Sequence, residues 1–218
     1  MGKEDSLIPI VGQDVGLMVR GYAAAIDDGR VLVQRGILDL LLTTIPMDGH
    51  GFQKEVRKED QVLLMRSLLG VVLKRDLSLS RRLQSWLLGN TELAPEKQVE
   101  FISAYGLDIL CQALKEEMQD GTERQRPFRI MVALLDKWEI GYPLTEAFVL
   151  DAFSCLRDAM AAVKGNEELK MTGNGLWEGL DPYLTWKQLF RAVKEEMESE
   201  DDVTEVRKQS VINLVLKN

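Results

Sequence analysis

The sequence predicts an all-α fold, an α-solenoid of about nine stacked antiparallel helices. Three observations carry that expectation. Apolar residues recur at three- and four-residue spacing along nearly the whole chain, and the alternation of a half-buried strand is absent over any useful length. Pro95, Pro127, Pro143 and Pro182 stand where periodic stretches begin, the position at which a missing N–H costs least. Offsetting the chain by 46 residues sets Val31 on Leu77, Arg35 on Arg81, Leu40 on Trp86 and Leu42 on Leu88. That period falls among the roughly 40 to 47 residues of HEAT and armadillo units.

The first helix spans about Val15 to Ile26, with Asp14 as N-cap and Asp27-Asp28-Gly29 closing it. The second, about Val31 to Thr44, is apolar on most of its surface, which predicts an inner helix covered on several sides. Pro46 ends it, and Met47 to Arg57, with Gly49-His50-Gly51, reads as a loop. A third helix, about Glu59 to Lys74, carries an apolar stripe, and Lys74 and Arg75 suit the negative end of its dipole. The fourth, Leu79 to Leu88, takes Ser78 as N-cap and Gly89 as C-cap. Helices follow over about Pro95 to Gln119, with a break near Gly106, then Pro127 to Trp138 and Leu144 to Val163. Lys164 to Gly179 contains Gly and Asn and reads as irregular, after which Asp181-Pro182 opens a helix over Tyr183 to about Glu196.

Glu195 to Asp202 holds six acidic residues and reads as a solvated helix end or a loop. A last helix, about Val203 to Leu216, finishes on the apolar turn Leu214-Val215-Leu216, a pattern expected of a fragment cut from a longer solenoid. The expected organisation is one helical-repeat domain over 1–218: a stack over 6–163, an irregular connection over 164–180 and C-terminal helices over 181–218.

With 45% apolar and 28% charged residues in 218, the chain has the material for a substantial core. Its formal charge of −8 repels a phosphate backbone, which argues against nucleic acid as a partner. No uncharged stretch approaches the roughly 18 apolar residues of a membrane-spanning helix. Cys111 and Cys155, in apolar helical contexts, read as two free buried thiols of a reducing, cytosolic compartment. Met1-Gly2-Lys3-Glu4-Asp5-Ser6 fits the short myristoylation pattern, but the acidic residues at its fourth and fifth positions are poor company for it, so no lipid anchor is expected.

Nucleophilic catalysis needs a base, and the sole histidine, His50, stands in a Gly-flanked loop with no nucleophile elbow anywhere in the chain. Neither C-x-x-C nor H-E-x-x-H occurs, so no metal or cofactor is expected. Gly173-x-Gly175-x-x-x-Gly179 misses the dinucleotide spacing and follows no strand. The expectation is a protein without catalytic residues. The distinctive cluster is Lys74, Arg75, Arg81 and Arg82, four cations at one helix-to-helix corner of an acidic chain. Such a corner suits a phosphoinositide head group or an acidic partner segment. The plainer reading has the same cations complementing a helix C-terminus and tying down Asp76 or a neighbouring turn. Trp86, Trp138, Trp177 and Trp186, with Tyr183 and Phe190, sit at helical spacing and are expected in the core.

Gly16-Leu17-Met18-Val19-Arg20, the stretch Val31 to Leu41, and above all Lys74-Arg75-Asp76-Leu77-Ser78-Leu79-Ser80-Arg81-Arg82-Leu83-Gln84-Ser85-Trp86-Leu87-Leu88-Gly89 resemble the N-terminal region of the Dopey family. Asp181 to Phe190 resembles a later segment, so the likeness runs in order from about Ile10 to Phe190, with Leu77 and Ser80 in place of the family's usual Met and Asn. The resemblance implies a piece of a very large, non-catalytic cytosolic scaffold, peripheral on trans-Golgi and endosomal membranes, that serves endosome-to-Golgi retrieval and organelle positioning. The partners it implies are a protein related to the large Arf exchange factors, a P-type ATPase lipid flippase, kinesin light chain and phosphatidylinositol 4-phosphate. It carries over no catalytic residue. Arg35, Asp39, Asp76 and Trp86, with Arg75, Arg81 and Arg82, match its motif without a transferable role. The alternative function is a direct phosphoinositide-binding module that uses Lys74, Arg75, Arg81 and Arg82.

Overall fold

The computed structural model describes residues 14–89, 92–120, 122–163 and 166–198. Among them are ten α-helices, one π-helical turn and no strand. In chain order these are α1 (Val15–Asp27), α2 (Val31–Thr44), the π turn (Gly51–Glu55), α3 (Lys58–Val72), α4 (Leu77–Leu88), α5 (Pro95–Tyr105), α6 (Leu107–Asp120), α7 (Arg126–Leu135), α8 (Trp138–Ala162), α9 (Glu167–Gly179) and α10 (Pro182–Glu198). The Met1-Gly2 pattern and the helix expected over Val203 to Leu216 lie outside the described residues.

The helices stack in two rows. One row runs α1, α3, α6, α8, α10, each packed on the next; in the other, α2 lies on α4 and α7 lies on α9. The helix α5 stands apart from both rows and packs on α4, α6 and α8. This is the all-α helical-repeat solenoid that the periodicity predicts. The 46-residue repeat has a physical meaning, because α2 and α4 begin at its two registers, Val31 and Leu77, and pack on one another.

Several ends fall where side-chain chemistry places them. The Asp14 carboxylate accepts from the Leu17 N–H at 3.1 Å and opens α1. Gly89 closes α4 at a φ of 68°, and Gly106 separates α5 from α6. The cap of α4 is two residues earlier than expected: Asp76, rather than Ser78, accepts from the N–H groups of Ser78 and Leu79 at 2.9 and 3.0 Å.

The expected inner helix changes place. Only Gln34, Leu38 and Leu41 of α2 are buried, and Leu32 is 79% exposed. The helix covered on several sides is α3, which buries Leu64, Met65, Leu68 and Leu69 and packs on α1, α4, α6 and α7. The loop expected over Met47 to Arg57 contains the π turn, which drives Phe52 fully into the core; Gln61 of α3 holds it by donating to the Phe52 carbonyl at 2.5 Å. His50 is exposed and faces Glu55 at 3.9 Å.

The segment expected to be irregular forms α9. The Asn166 side chain accepts from the Leu169 N–H at 3.0 Å, Leu169 and Leu176 share the buried face, and α9 packs on α7. Gly173 is part of the reason, since a Cβ there would come within 3.1 Å of the Leu156 side chain. Close approach of helices thus overrides the low helix propensity of glycine. A second difference lies at Pro143, expected to precede a helix and found inside the second turn of α8, which starts at Trp138. The turn from α7 is made tight by Gly141, whose missing Cβ would sit 2.9 Å from the Leu135 carbonyl oxygen. That packing offsets the one hydrogen bond that proline removes from the ladder.

Core placement of the aromatics holds for Trp86, which is 1% exposed. Trp138, Trp177 and Trp186 are 51%, 52% and 54% exposed, and Tyr183 and Phe190 are more exposed still. Tyr183, Trp186 and Phe190 lie along one face of α10, while Leu184 and Leu189 on the other face are buried.

Cys111 and Cys155 are free thiols, as expected, but partly buried rather than buried: they pack against the core from its edge. Burial, helped by Asp108 and Asp151, pushes the Cys111 thiol up to about 12, so the protonated thiol dominates at pH 8. Iodoacetamide at pH 8 is therefore expected to modify Cys111 only once urea unfolds the chain. Rapid alkylation of Cys111 in the native protein, read by peptide mass spectrometry, would contradict this placement.

Candidate functional site

The corner between α3 and α4 is built from the residues that the motif brings together, and most of its charges hold the stack. Lys74 donates to the Gly29 carbonyl at 2.8 Å, joining the end of α3 to the α1–α2 turn. Arg35 on α2 pairs with Asp76 at 3.0 Å, and Arg82 on α4 pairs with Asp39 on α2 at 2.6 Å while also donating to Ser78. These two reciprocal pairs lace α2 to α4. The Asp76 carboxyl is held below the ordinary range, first by the Leu79 N–H and then by Arg35, with burial opposing. Trp86 closes the same interface from the core: its indole N–H donates to the Ile45 carbonyl at 2.8 Å.

Of the four expected cations, Lys74 and Arg82 are thus committed to the scaffold, and no carboxylate among the described residues pairs with Arg75 or Arg81. Both are exposed. Arg75 adopts a φ of 53°, the left-handed region where a helix end normally carries glycine. Arg75→Gly is expected to leave stability unchanged or raise it by up to about 1 kcal/mol, because relief of left-handed strain is partly offset by the entropy of an unfolded glycine. Arg81→Gly, inside α4, is expected to lose about 1 kcal/mol. Urea midpoints compare them, and a lower midpoint for Arg75→Gly than for Arg81→Gly would contradict the strain.

Arg75 stands at the rim of an open cleft of about 660 Å³ between α4, α7 and α9. Its position follows from the two rows: α4 and α7 are not close-packed neighbours, so the second row is interrupted where α3 runs beneath. Leu83, Leu87, Leu134 and Ile140 form a buried apolar floor, and Arg129 and Lys137 join Arg75 at the edge. Periodicity within single helices shows none of this, since the walls come from segments as far apart as Arg75 and Gly175. The one local signal is Arg129, an exposed cation on α7, whose residues Phe128, Ile130, Met131 and Leu134 are buried. Among the described residues no group of three or more His, Cys, Asp or Glu side chains is placed to hold a metal ion, and no helix is long and apolar enough to cross a membrane.

Residues 2–92 match the family model described as Dopey, N-terminal, and residues 101–218 match the DOP1 middle TPR domain. The chain belongs to the Dopey family. Its curated relatives include protein dop1 of Emericella nidulans, 29% identical over 84% of this chain and 12% of the relative. Protein DOP1 of Saccharomyces cerevisiae is 26% identical over 96% of this chain and 13% of its own length. Protein DOP1B of Mus musculus is 31% identical over 80% of this chain and 9% of its own length. The chain spans about an eighth or less of these relatives. No solved structure matches it. Within this Dopey-family chain the first matched region ends between α4 and α5 and the second begins within α5, and the cleft has walls from both: α4 from the first, α7 and α9 from the second.

Proposed function

We propose that this chain is a non-catalytic protein-interaction module of a large Dopey-type scaffold in endosome-to-Golgi membrane traffic and organelle positioning, peripheral on trans-Golgi and endosomal membranes. The observation that carries the reading is the arrangement of the family motif. Its charged residues and Trp86 lock α2 to α4 and leave an apolar, cation-rimmed cleft beside them, a layout that presents a surface and assembles no reacting group. The partners are a protein related to the large Arf exchange factors, a P-type ATPase lipid flippase and kinesin light chain. Crosslinking mass spectrometry of the full-length protein on Golgi membranes tests this. Crosslinks from this region to one of those partners are expected, and crosslinks confined to the scaffold's own chain would sink the reading.

Arg75 and Arg81, exposed and paired with no carboxylate among the described residues, favour a second reading, in which the corner binds phosphatidylinositol 4-phosphate. Arg75→Glu with Arg81→Glu is the appropriate variant, because Arg82 is bound to Asp39 and its loss would disturb the stack. Flotation with liposomes containing that lipid, at physiological salt, is expected to be lost in the double variant; absence of flotation for the parent chain rejects the reading.

A further inference from the structure

We propose that the cleft between α4, α7 and α9 is a docking groove for an acidic amphipathic helix of a partner protein. The inference deepens the interaction-module reading and rests on it. Its first support is the interruption of the second helix row. Where α4 and α7 are not close-packed, a buried apolar floor lies open at a depth that side chains can enter. Leu77 and Met171, 75% and 73% exposed, flank that floor. The walls are helix faces, and no strand edge is present among the described residues, so main-chain pairing by an extended peptide has no template here. A helix with apolar residues at three- and four-residue spacing fits such a trough.

Charge selects the kind of helix. Arg75 and Arg129 reach the rim with no carboxylate paired to either among the described residues. Lys137 is bound to Glu139 at 3.1 Å, and Asp136 is the one carboxylate on the rim. A net positive edge on a chain of charge −8 disfavours basic segments and makes the cleft the place where an acidic segment is drawn in rather than repelled. The left-handed backbone at Arg75 adds independent weight. A glycine would be easier to hold in that conformation, yet the position carries a cation that lines the cleft.

The test uses the 218-residue chain and a phage-displayed library of random peptides of about 16 residues, long enough for four helical turns. Gly175 lines the cleft and a Cβ there meets nothing within 4 Å, so Gly175→Phe is the variant chosen to fill the cleft from α9. Met171→Glu, at an exposed position lining the cleft, repels an acidic helix and gives the same readout should Gly175→Phe fail to fold. Selected peptides are expected to be rich in Asp and Glu with Leu, Met or Phe at helical spacing. In fluorescence anisotropy the best of them should bind at least about tenfold more weakly to Gly175→Phe, and to Arg75→Glu with Arg129→Glu, and more weakly as salt is raised. Peptides that are basic, or that bind the filled cleft equally well, overturn the proposal, as does a selection that yields none. Two other results overturn it in favour of another occupant. One is flotation with vesicles of phosphatidylcholine and phosphatidylserine that Gly175→Phe abolishes, which gives the cleft to a membrane. The other is a dimer, seen by sedimentation, that Gly175→Phe dissociates, which gives it to a second copy. If the selection fails while the full-length scaffold still crosslinks to its partners from other faces, the groove falls and the interaction-module reading stands; loss of both rejects both.

Discussion

Trp86→Ala is expected to destabilise the chain by about 3–5 kcal/mol, a large share of the roughly 5–15 kcal/mol of a typical domain. Two effects add. The ring is 1% exposed and meets Phe52 edge to face at a centroid distance of 5.5 Å, so truncation opens a cavity at the π turn. Its indole N–H also satisfies the Ile45 carbonyl just past the end of α2, one of the acceptors a helix terminus leaves over. Trp86→Phe separates the effects: it keeps much of the apolar contact and deserts the carbonyl, for an expected loss of about 1–3 kcal/mol. Urea unfolding measures both. The other three tryptophans are more than half exposed, so emission of the alanine variant should shift to the red. A loss below about 1 kcal/mol for Trp86→Ala would mean that the α2–α4 stack does not depend on this side chain.

The motif that carries the family resemblance turns out to be a record of that stack. Arg35 with Asp76, Asp39 with Arg82, and Trp86 with Ile45 are all bonds between the α2 segment and α4 with its cap. Their spacing was legible because helix pairs repeat, and so were the caps at Asp14 and Gly89 and the break at Gly106, which depend on a residue and its nearest neighbours. What could not be read from local pattern depends on who stands alongside. Three glycines in α9 look irregular until Leu156 is seen to press against one of them. Pro143 looks like a helix start until the α7–α8 turn is closed at Gly141.

Periodicity says which residues share a face and is silent on whether anything covers it. Leu32 on α2 and Tyr183, Trp186 and Phe190 on α10 follow the same spacing as the core residues, and all are exposed. The converse error produced the basic corner. Four cations close in sequence read as one site, and the fold sends Lys74 and Arg82 into the scaffold while Arg75 joins Arg129, 54 residues away, at the cleft. A candidate surface in a helical stack is a property of the gaps between helices, and gaps leave no mark within any one helix.

Glu117→Ala is expected to cost about 2–4 kcal/mol, and it tests how the cleft is held open. Glu117 lies near the end of α6 with its side chain 11% exposed, and its carboxylate accepts from Arg66 of α3 at 2.9 Å and from Arg126 at the start of α7. One anion thus fastens three helices. Burial works against the charge of Arg66, but the Glu117 hydrogen bond and the surrounding carboxylates more than offset it and raise the guanidinium's pKa. After truncation Arg66 keeps Asp120 at 3.1 Å, whereas Arg126 is left with Glu123 at 3.9 Å, so most of the loss falls on the α7 side. Replacing the acid together with its α7 partner, as Glu117→Leu with Arg126→Met, is expected to recover at least half of that loss, because no charge is then stranded. Urea midpoints of the single and double variants measure the coupling. Arg129 lies one turn beyond Arg126, so a loosened α7 start also displaces the cleft's edge, and Glu117→Ala should weaken any cleft-binding peptide without touching it. A single variant within about 0.5 kcal/mol of the parent would show that α7 is held by its apolar face alone.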